Sequence, residues 1–390
     1  MNMNRSVLIP FVVFLTLFAS CSKSSERIQN SKLVKIDFEL SHPSDFESVF
    51  DSVSWTSLQL PSNTFIGAVD KVIIHKSDIY AFDYVHSQSL YVFDSSGSFK
   101  FSINDAGPGP GEYQRPVDFL VTEFGVEILD ATDKILKYDQ RGIFKEEVRL
   151  PFNCDKFVKI SNEEYLMYTK QSGNSSFGEN VACDLVLYNL TTKENICILE
   201  RSNVEIPFIQ ESNNLTNYKS RTWFSKMFSD SIFGITERII SDTLILEFGN
   251  RAFPSELLDI NKYKIEDIMT VLNTNFDKMY HRPSLFESDK FFITGFNLSG
   301  QNYLFYNKIN ESWQTLAVDN KSNISSEGVP FLFIHYLDHN SITTVVDSNI
   351  ILDAYQRQKR KTPEIQSNFM NFAKDLDINS APVLIRYWFK

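Results

Sequence analysis

Two stretches of this chain are copies of one unit. The first reads Ile79-Tyr80-Ala81-Phe82-Asp83, a spacer, then Leu90-Tyr91-Val92-Phe93-Asp94-Ser95-Ser96-Gly97-Ser98-Phe99. The second reads Val126-Glu127-Ile128-Leu129-Asp130, a spacer, then Ile135-Leu136-Lys137-Tyr138-Asp139-Gln140-Arg141-Gly142-Ile143-Phe144. Aromatic and β-branched runs favour extended strands. An Asp three residues before a Gly suits a tight turn, in which the Asp accepts from the backbone and the Gly takes the left-handed position. The unit recurs after about 45 residues, too long for a leucine-rich or ankyrin repeat and right for a four-stranded blade. Asp83, Asp94, Asp130 and Asp139 occupy matching places, so they read as turn chemistry rather than a calcium array or a catalytic pair.

Between the copies lies Gly107-Pro108-Gly109-Pro110-Gly111-Glu112-Tyr113. Proline fixes φ and donates no hydrogen bond, while glycine reaches positive φ, so this stretch breaks both sheets and connects two blades. As a phosphate cradle it fails, because two prolines remove donors and no Lys-Ser/Thr follows. Gly107, Gly109, Gly111, Glu112 and Tyr113 are expected to form a structural loop, with Glu112 and Tyr113 anchoring it by hydrogen bonds.

Weaker units follow. A third contains Tyr165 to Tyr168, Asp184 to Tyr188, a Thr191-Thr192-Lys193-Glu194 turn and Ile196 to Leu199, with a polar surface insertion from Thr169 to Asn180. A fourth contains Ser231 to Gly234, Arg238 to Ile240 and Thr243 to Phe248; a fifth spans Lys290 to Leu316; a sixth starts near Phe331 and takes Ser341 to Val346 and Ile350 to Ala354 as strands. Glu256 to Leu272 has helical spacing, and Thr362-Pro363 should start a helix with Ile365, Phe369, Phe372 and Leu376 on one face. Ser31 to Leu60 should supply extended segments, and Pro382 to Phe389 a last strand that pairs with one of them so that no edge is left open. The expected fold is therefore all-β: one six-bladed propeller of four-stranded blades over residues 31–390, closed by the N- and C-terminal strands, with one or two helical insertions.

Residues 1–20 have Arg5 near the start, an apolar run from Val7 to Phe18 and small residues before Cys21, the pattern of a secretory signal. The polar residues after Cys21, up to position 30, read as a flexible tether. Formal net charge is −11, which argues against nucleic acid or an anionic membrane surface as the main partner.

The GPGEY box at Gly109 to Tyr113, the strand-Asp-x-x-Gly hairpins, the Leu17-Phe18-Ala19-Ser20-Cys21 lipobox and the Pro382-Val383-Leu384-Ile385-Arg386-Tyr387 ending together resemble the six-bladed β-propeller lipoproteins of Bacteroidetes. The hairpins by themselves are also similar to NHL-like and TolB-like propellers. The resemblance implies a propeller lipid-anchored through Cys21 in the bacterial envelope, on an outer membrane whose face is left open. It carries no settled activity.

The remaining chemistry is sparse. Cys154, Cys183 and Cys197 cannot all pair, and whether Cys183 and Cys197 form a disulfide across their hairpin stays open. His335 and His339 have zinc-like spacing, but the flanking residues read as strand and turn, so no metal or other cofactor is expected. Tyr84, Tyr113, Trp223, Tyr280 and Trp313 are placed in loops or strand ends, where a sugar or peptide would find them. The reading is a monomeric binding or scaffold protein for a glycan, a peptide or an outer-membrane protein, tied to uptake, with ligand at a mouth of the channel. The alternatives are a lyase or hydrolase with carboxylates meeting in that channel, and an architectural subunit with an apolar rim.

Overall fold

The computed structural model describes residues 32–38, 42–62, 64–169, 182–202, 213–259, 262–318, 323–361, 367–377 and 380–390, with Asn174 and Gly178 between them. The signal peptide, Cys21, the tether, most of the Thr169 to Asn180 insertion and the Thr362-Pro363 helix start lie outside the described residues.

Six separate antiparallel sheets follow one another along the chain. Blade 1 takes strands Lys71–His75, Asp78–Asp83, Ser89–Phe93 and Phe99–Ile103, and blade 2 takes Pro116–Thr122, Gly125–Asp130, Lys134–Asp139 and Phe144–Arg149. Blade 3 takes Lys156–Lys159, Glu164–Tyr168, Cys183–Asn189 and Asn195–Glu200; blade 4 takes Leu215–Tyr218, Arg221–Ser225, Ser231–Thr236 and Ile239–Glu247. Blade 5 has a broken inner strand, Tyr280–His281 and Phe286–Glu287, then Phe291–Asn297, Gln301–Asn307 and Ser312–Ala317. Blade 6 joins Tyr336–Leu337, Ser341–Val346 and Val383–Phe389 to Phe50–Ser57 from the start of the chain. The six inner strands contact one another in ring order, blade 6 returning to blade 1, so the protein is a six-bladed β-propeller.

The sequence pattern follows from this arrangement. Each blade packs both faces against neighbours, so its middle strands are largely apolar on both sides instead of alternating, as in Ser89–Phe93, where all five residues are buried. Tyr80, Phe82, Leu90 and Val92 point toward blade 2, where they meet Phe119, Val126, Ile128 and Tyr138. Their odd-numbered neighbours Ile79, Ala81, Tyr91 and Phe93 point the other way, to Val345 and Leu384 of blade 6. Each such side chain contributes about 1.5–3 kcal/mol when fully buried. The outermost strand of blade 2 has one free side and is correspondingly charged, with Lys145, Glu146, Glu147 and Arg149.

Closure uses both termini as expected: Val383 pairs with Ser57 and Ile385 with Trp55, antiparallel. Two further segments add something the sequence did not show. Lys32–Asp37 lies parallel on the outer strand of blade 4, and His42–Pro43 lies parallel on that of blade 5. The N-terminal segment thus runs along the rims of three successive blades before closing the ring.

Ile350 to Ala354 is not a strand. It lies in the helix Ser348–Lys361, where Ile351 and Ala354, one turn apart, share the buried side. Val383–Phe389 takes the sheet position instead. A second helix, Asn368–Lys374, is capped by the Ser367 hydroxyl, and a third, Ile265–Thr274, falls in the expected insertion. No helix among the described residues is long and apolar enough to cross a membrane.

Candidate functional site

Because all blades run the same way, the propeller has two unlike faces. One carries the turns within each blade's outer and inner hairpins, here the hairpin face. The other carries the links between blades and the helices Ile265–Thr274, Ser348–Lys361 and Asn368–Lys374, here the connector face. The inner strands enclose a channel between them. Its hairpin half is a cavity of about 570 Å³ to which every blade contributes, through Ile73, Val121, Lys159, Asn217, Glu287 and Asp338 among others. A second cavity of about 240 Å³ opens toward the connector face, lined by Asp70, Asn213, Arg282, Tyr303, Phe333 and His335.

Most charges near the channel are committed to holding blades together. Asp118 of blade 2 accepts from Lys71 Nζ of blade 1 at 2.7 Å and from the Phe157 N–H of blade 3 at 3.1 Å. Glu127 of blade 2 accepts from Lys159 and the Tyr165 hydroxyl of blade 3, both at 2.8 Å. Lys226 of blade 4 donates to Asp184 of blade 3, and the Trp223 indole of blade 4 donates to Glu287 of blade 5. His335 of blade 6 accepts the Val345 N–H at Nδ1 and so donates from Nε2 to the Val69 carbonyl beside blade 1. Desolvation of that ring pushes its pKa down to about 4. Buried Lys156 donates to the Val117 carbonyl, and burial lowers its pKa.

The connector mouth differs. Arg282 is exposed and, among the described residues, has no carboxylate partner. Phe333, 48% exposed, offers a ring beside it, and Tyr303 lies behind. Half-buried Asp70 accepts from the Tyr84 N–H at 2.7 Å, and desolvation raises its carboxyl pKa. A guanidinium fork, an aromatic face and a carboxylate drawn from blades 1, 5 and 6 therefore meet in one concavity, a composition suited to recognition of a partly polar ligand.

Ser225 and His281 are a pair the sequence did not reveal. The Ser225 hydroxyl lies 2.9 Å from His281 Nδ1, and Thr294 lies 2.7 Å from Nε2. The serine donates to the Ser231 carbonyl at 2.8 Å, so it accepts from the ring. Burial lowers the imidazole pKa to about 3. A neutral ring that donates to a serine withdraws no proton from it; the arrangement is a satisfied polar core contact.

The Gly-Pro loop is built around two anchors, half-buried Glu112 and buried Tyr113. Glu112 accepts the Gly109 N–H at 2.8 Å, and the fully buried Tyr113 hydroxyl donates to the Gln88 carbonyl at 2.6 Å. Gly107 leaves no room for a Cβ, which would lie 2.1 Å from the Glu112 carboxylate; Gly111 has φ +79° and donates to Glu147. The two blade turns are superimposable in their bonding. Asp94 accepts from Ser96 and Ser98, Asp139 accepts from Arg141 and Ile143, and Gly97 and Gly142 sit at φ +84° and +77°. These bonds depress both carboxyl pKa values, that of Asp139, aided first by Lys145, to about 2. Asp83 and Asp130 do something further: each also accepts from the link entering its blade, at Gly67 and at Gln114.

The expectation that five aromatic side chains stand open to a ligand is corrected. Tyr84, Tyr113 and Trp223 are core residues, and Tyr280 and Trp313 are half-buried, stacked on Phe228 and Tyr306; strand ends in a propeller are covered by the next blade. His335 and His339 diverge, one at the channel wall and one in an exposed turn. Among the described residues no group of three His, Cys, Asp or Glu converges where an ion would sit. Cys183 and Cys197 are disulfide-bonded across the blade 3 hairpin, and Cys154 is a buried thiol whose pKa burial raises.

Among solved structures, an exported protein of Bacteroides fragilis is similar over 92% of this chain and 100% of its own, with a TM-score of 0.71 and 14% identity. A Bacteroides vulgatus protein of the DUF4221 family matches over 88% of this chain and 97% of its own, with a TM-score of 0.49 and 9% identity. No curated protein matches the chain. Residues 33–387, all six blades and the rim segment, match the family described as a domain of unknown function, DUF4934, and the chain belongs to that family.

Proposed function

We propose that the protein is exported, acylated at Cys21 and held at the outer membrane, where it binds a glycan or peptide at the connector mouth of its channel. The observation that carries the binding reading is the contrast at the channel. Most ionised groups along it pair across blades, whereas Arg282 and Phe333 present a cation and an aromatic face with no such partner among the described residues. The signal-like residues before Cys21 support export, as does the description of the similar B. fragilis protein as exported. Kinship with NHL-like and TolB-like propellers, and a part in uptake, belong to the same reading and rest on the repeated Asp-x-x-Gly turns and the Gly-Pro loop.

The test is a glycan and peptide array probed with the full chain, with and without divalent metal. Hits should be followed by amide hydrogen exchange. Binding should protect the segments around Asp70, Arg282 and Phe333 together; a ligand that protects only the rim strands would contradict the reading.

A further inference from the structure

We propose that the connector mouth takes a small zwitterion, a free amino acid or a dipeptide, with Arg282 on its carboxylate, Asp70 on its ammonium and Phe333 against its apolar side chain. The proposal rests on the reading of that mouth as a binding site, and it narrows the ligand to one chemical class.

The neutral polar groups of the cavity wall are already engaged. The Asn213 amide donates to the Leu285 carbonyl at 2.6 Å, and the Tyr303 oxygen accepts the Ile334 N–H at 3.0 Å. His335, uncharged, spends both ring nitrogens on Val69 and Val345. A sugar is held mainly by neutral donors and acceptors of this kind, and here they are taken.

What remains is one charge of each sign. Asp70 Oδ2 accepts the Tyr84 N–H, while Lys71 beside it is bound to Asp118 and Lys156 to the Val117 carbonyl. Among the described residues no cation pairs with Asp70 and no carboxylate with Arg282. The two belong to blades 1 and 5, with blade 6 between them, so they stand on separate walls of one cavity without neutralising each other. Burial raises the pKa of the Tyr303 hydroxyl on the inner wall, and the Arg282 charge acts against that rise, so the guanidinium is felt inside the cavity. Desolvation likewise raises the Asp70 carboxyl pKa, a cost that an incoming ammonium offsets. A guanidinium fork matches a carboxylate with two parallel hydrogen bonds.

Size agrees. The cavity of about 240 Å³ is smaller than the about 300–1,000 Å³ of sites for drug-sized ligands, which suits a ligand of one or two residues. Val69, Ile334 and the Phe333 ring supply an apolar surface for its side chain.

Titration calorimetry of the full chain tests this with leucine and alanyl-leucine, each beside its N-acetyl and C-amide derivatives, and with N-acetylglucosamine. At least one zwitterion should bind, and blocking either of its charged ends should weaken binding about tenfold or more. Tighter binding of leucine assigns a free amino acid; tighter binding of alanyl-leucine assigns a dipeptide. Arg282→Gln should erase the penalty for the amide and keep that for acetylation. Asp70→Asn, which keeps an acceptor for the Tyr84 N–H, should do the reverse. Both penalties are read on the native chain, so the test stands even if the Asp70 variant does not fold. Binding that ignores either blocked end, a variant that changes both penalties equally, or no binding of either zwitterion would overturn the proposal. If N-acetylglucosamine or an array ligand then still protects the Asp70, Arg282 and Phe333 segments, the mouth is a binding site for another class; if nothing protects them, the binding reading fails as well.

Discussion

The Lys71 ammonium stands 2.7 Å from the Asp118 carboxylate, one residue in the inner strand of blade 1 and the other in that of blade 2. The same carboxylate accepts the Phe157 N–H of blade 3, so one side chain ties three consecutive blades. In a propeller no strand ladder runs on from blade to blade; here side-chain bonds cross, with isolated backbone contacts such as the Leu285 N–H to the Asn213 carbonyl at 2.7 Å. The apolar interfaces supply most of the energy, and polar staples of this kind fix how each blade sits on the next.

Replacing Asp118 by Ala should destabilise the fold strongly. The Asp118 side chain is 2% exposed, and its loss leaves a mostly buried lysine without its counter-charge, a change that costs about 3–5 kcal/mol. Chemical denaturation would measure it. A loss below about 1 kcal/mol would show that water replaces the carboxylate at no cost.

Deleting Val383–Lys390 should abolish the cooperative transition rather than lower it slightly. That strand sits between Ser341–Val346 and Phe50–Ser57, so its removal opens the ring, takes away Leu384, Ile385 and Tyr387, and uncovers the core residues they pack against, among them Phe46, Phe331 and Val345. Circular dichroism melting checks this; an unchanged Tm would mean that closure lies elsewhere.

The Cys183–Cys197 bond closes a loop of 14 residues in sequence separation, for which chain entropy predicts about 3 kcal/mol. Cys183→Ser with Cys197→Ser should therefore lower stability by about that amount. It should leave the channel unchanged, because the bond lies toward the outer edge of blade 3. Mass spectrometry of the unreduced chain checks the pairing itself.

Stability should fall on acidification below about pH 6. His281 and His335 have folded pKa values near 3 and 4, below the ordinary histidine value, so the unfolded chain takes up protons in that window and the folded chain does not. Each contributes a slope of up to about 1.4 kcal/mol per pH unit, stability being full above the unfolded value and lost as pH falls toward the folded one. His281→Asn should flatten the profile of Tm against pH between about 6 and 4. An unchanged slope would mean that the loss in that window arises elsewhere, for instance from His335.

The architecture was readable because blades 1 and 2 keep the same turn, in which only a residue like Gly97 or Gly142 reaches positive φ without strain. Blades 3 and 5 solve the same problem with other residues. Asn189 and Asn307 take the place of the Asp and accept from Thr191 and Ile309, while Lys193 and Glu311 take the left-handed position at φ +62° and +52°. Blade 4 turns at Glu237-Arg238, both with positive φ. Those turns carry no Asp-to-Gly spacing, so those units read as weak. The rim segment was illegible for another reason: parallel pairing to an outer strand leaves no local pattern. The run Ile350-Ile351-Leu352 misled because a short apolar stretch fits strand and helix alike. The connector mouth is gathered from positions as far apart as 70, 213, 282 and 333, and no local motif marks it.

The most direct measurement is the affinity of a ligand found by array for the native chain against Arg282→Ala and Phe333→Ala, by titration calorimetry. Both side chains are exposed, so Tm should stay unchanged, while loss of a charged hydrogen-bond donor should weaken binding by roughly tenfold or more. A ligand that binds both variants as tightly as the native chain would contradict recognition at the connector mouth.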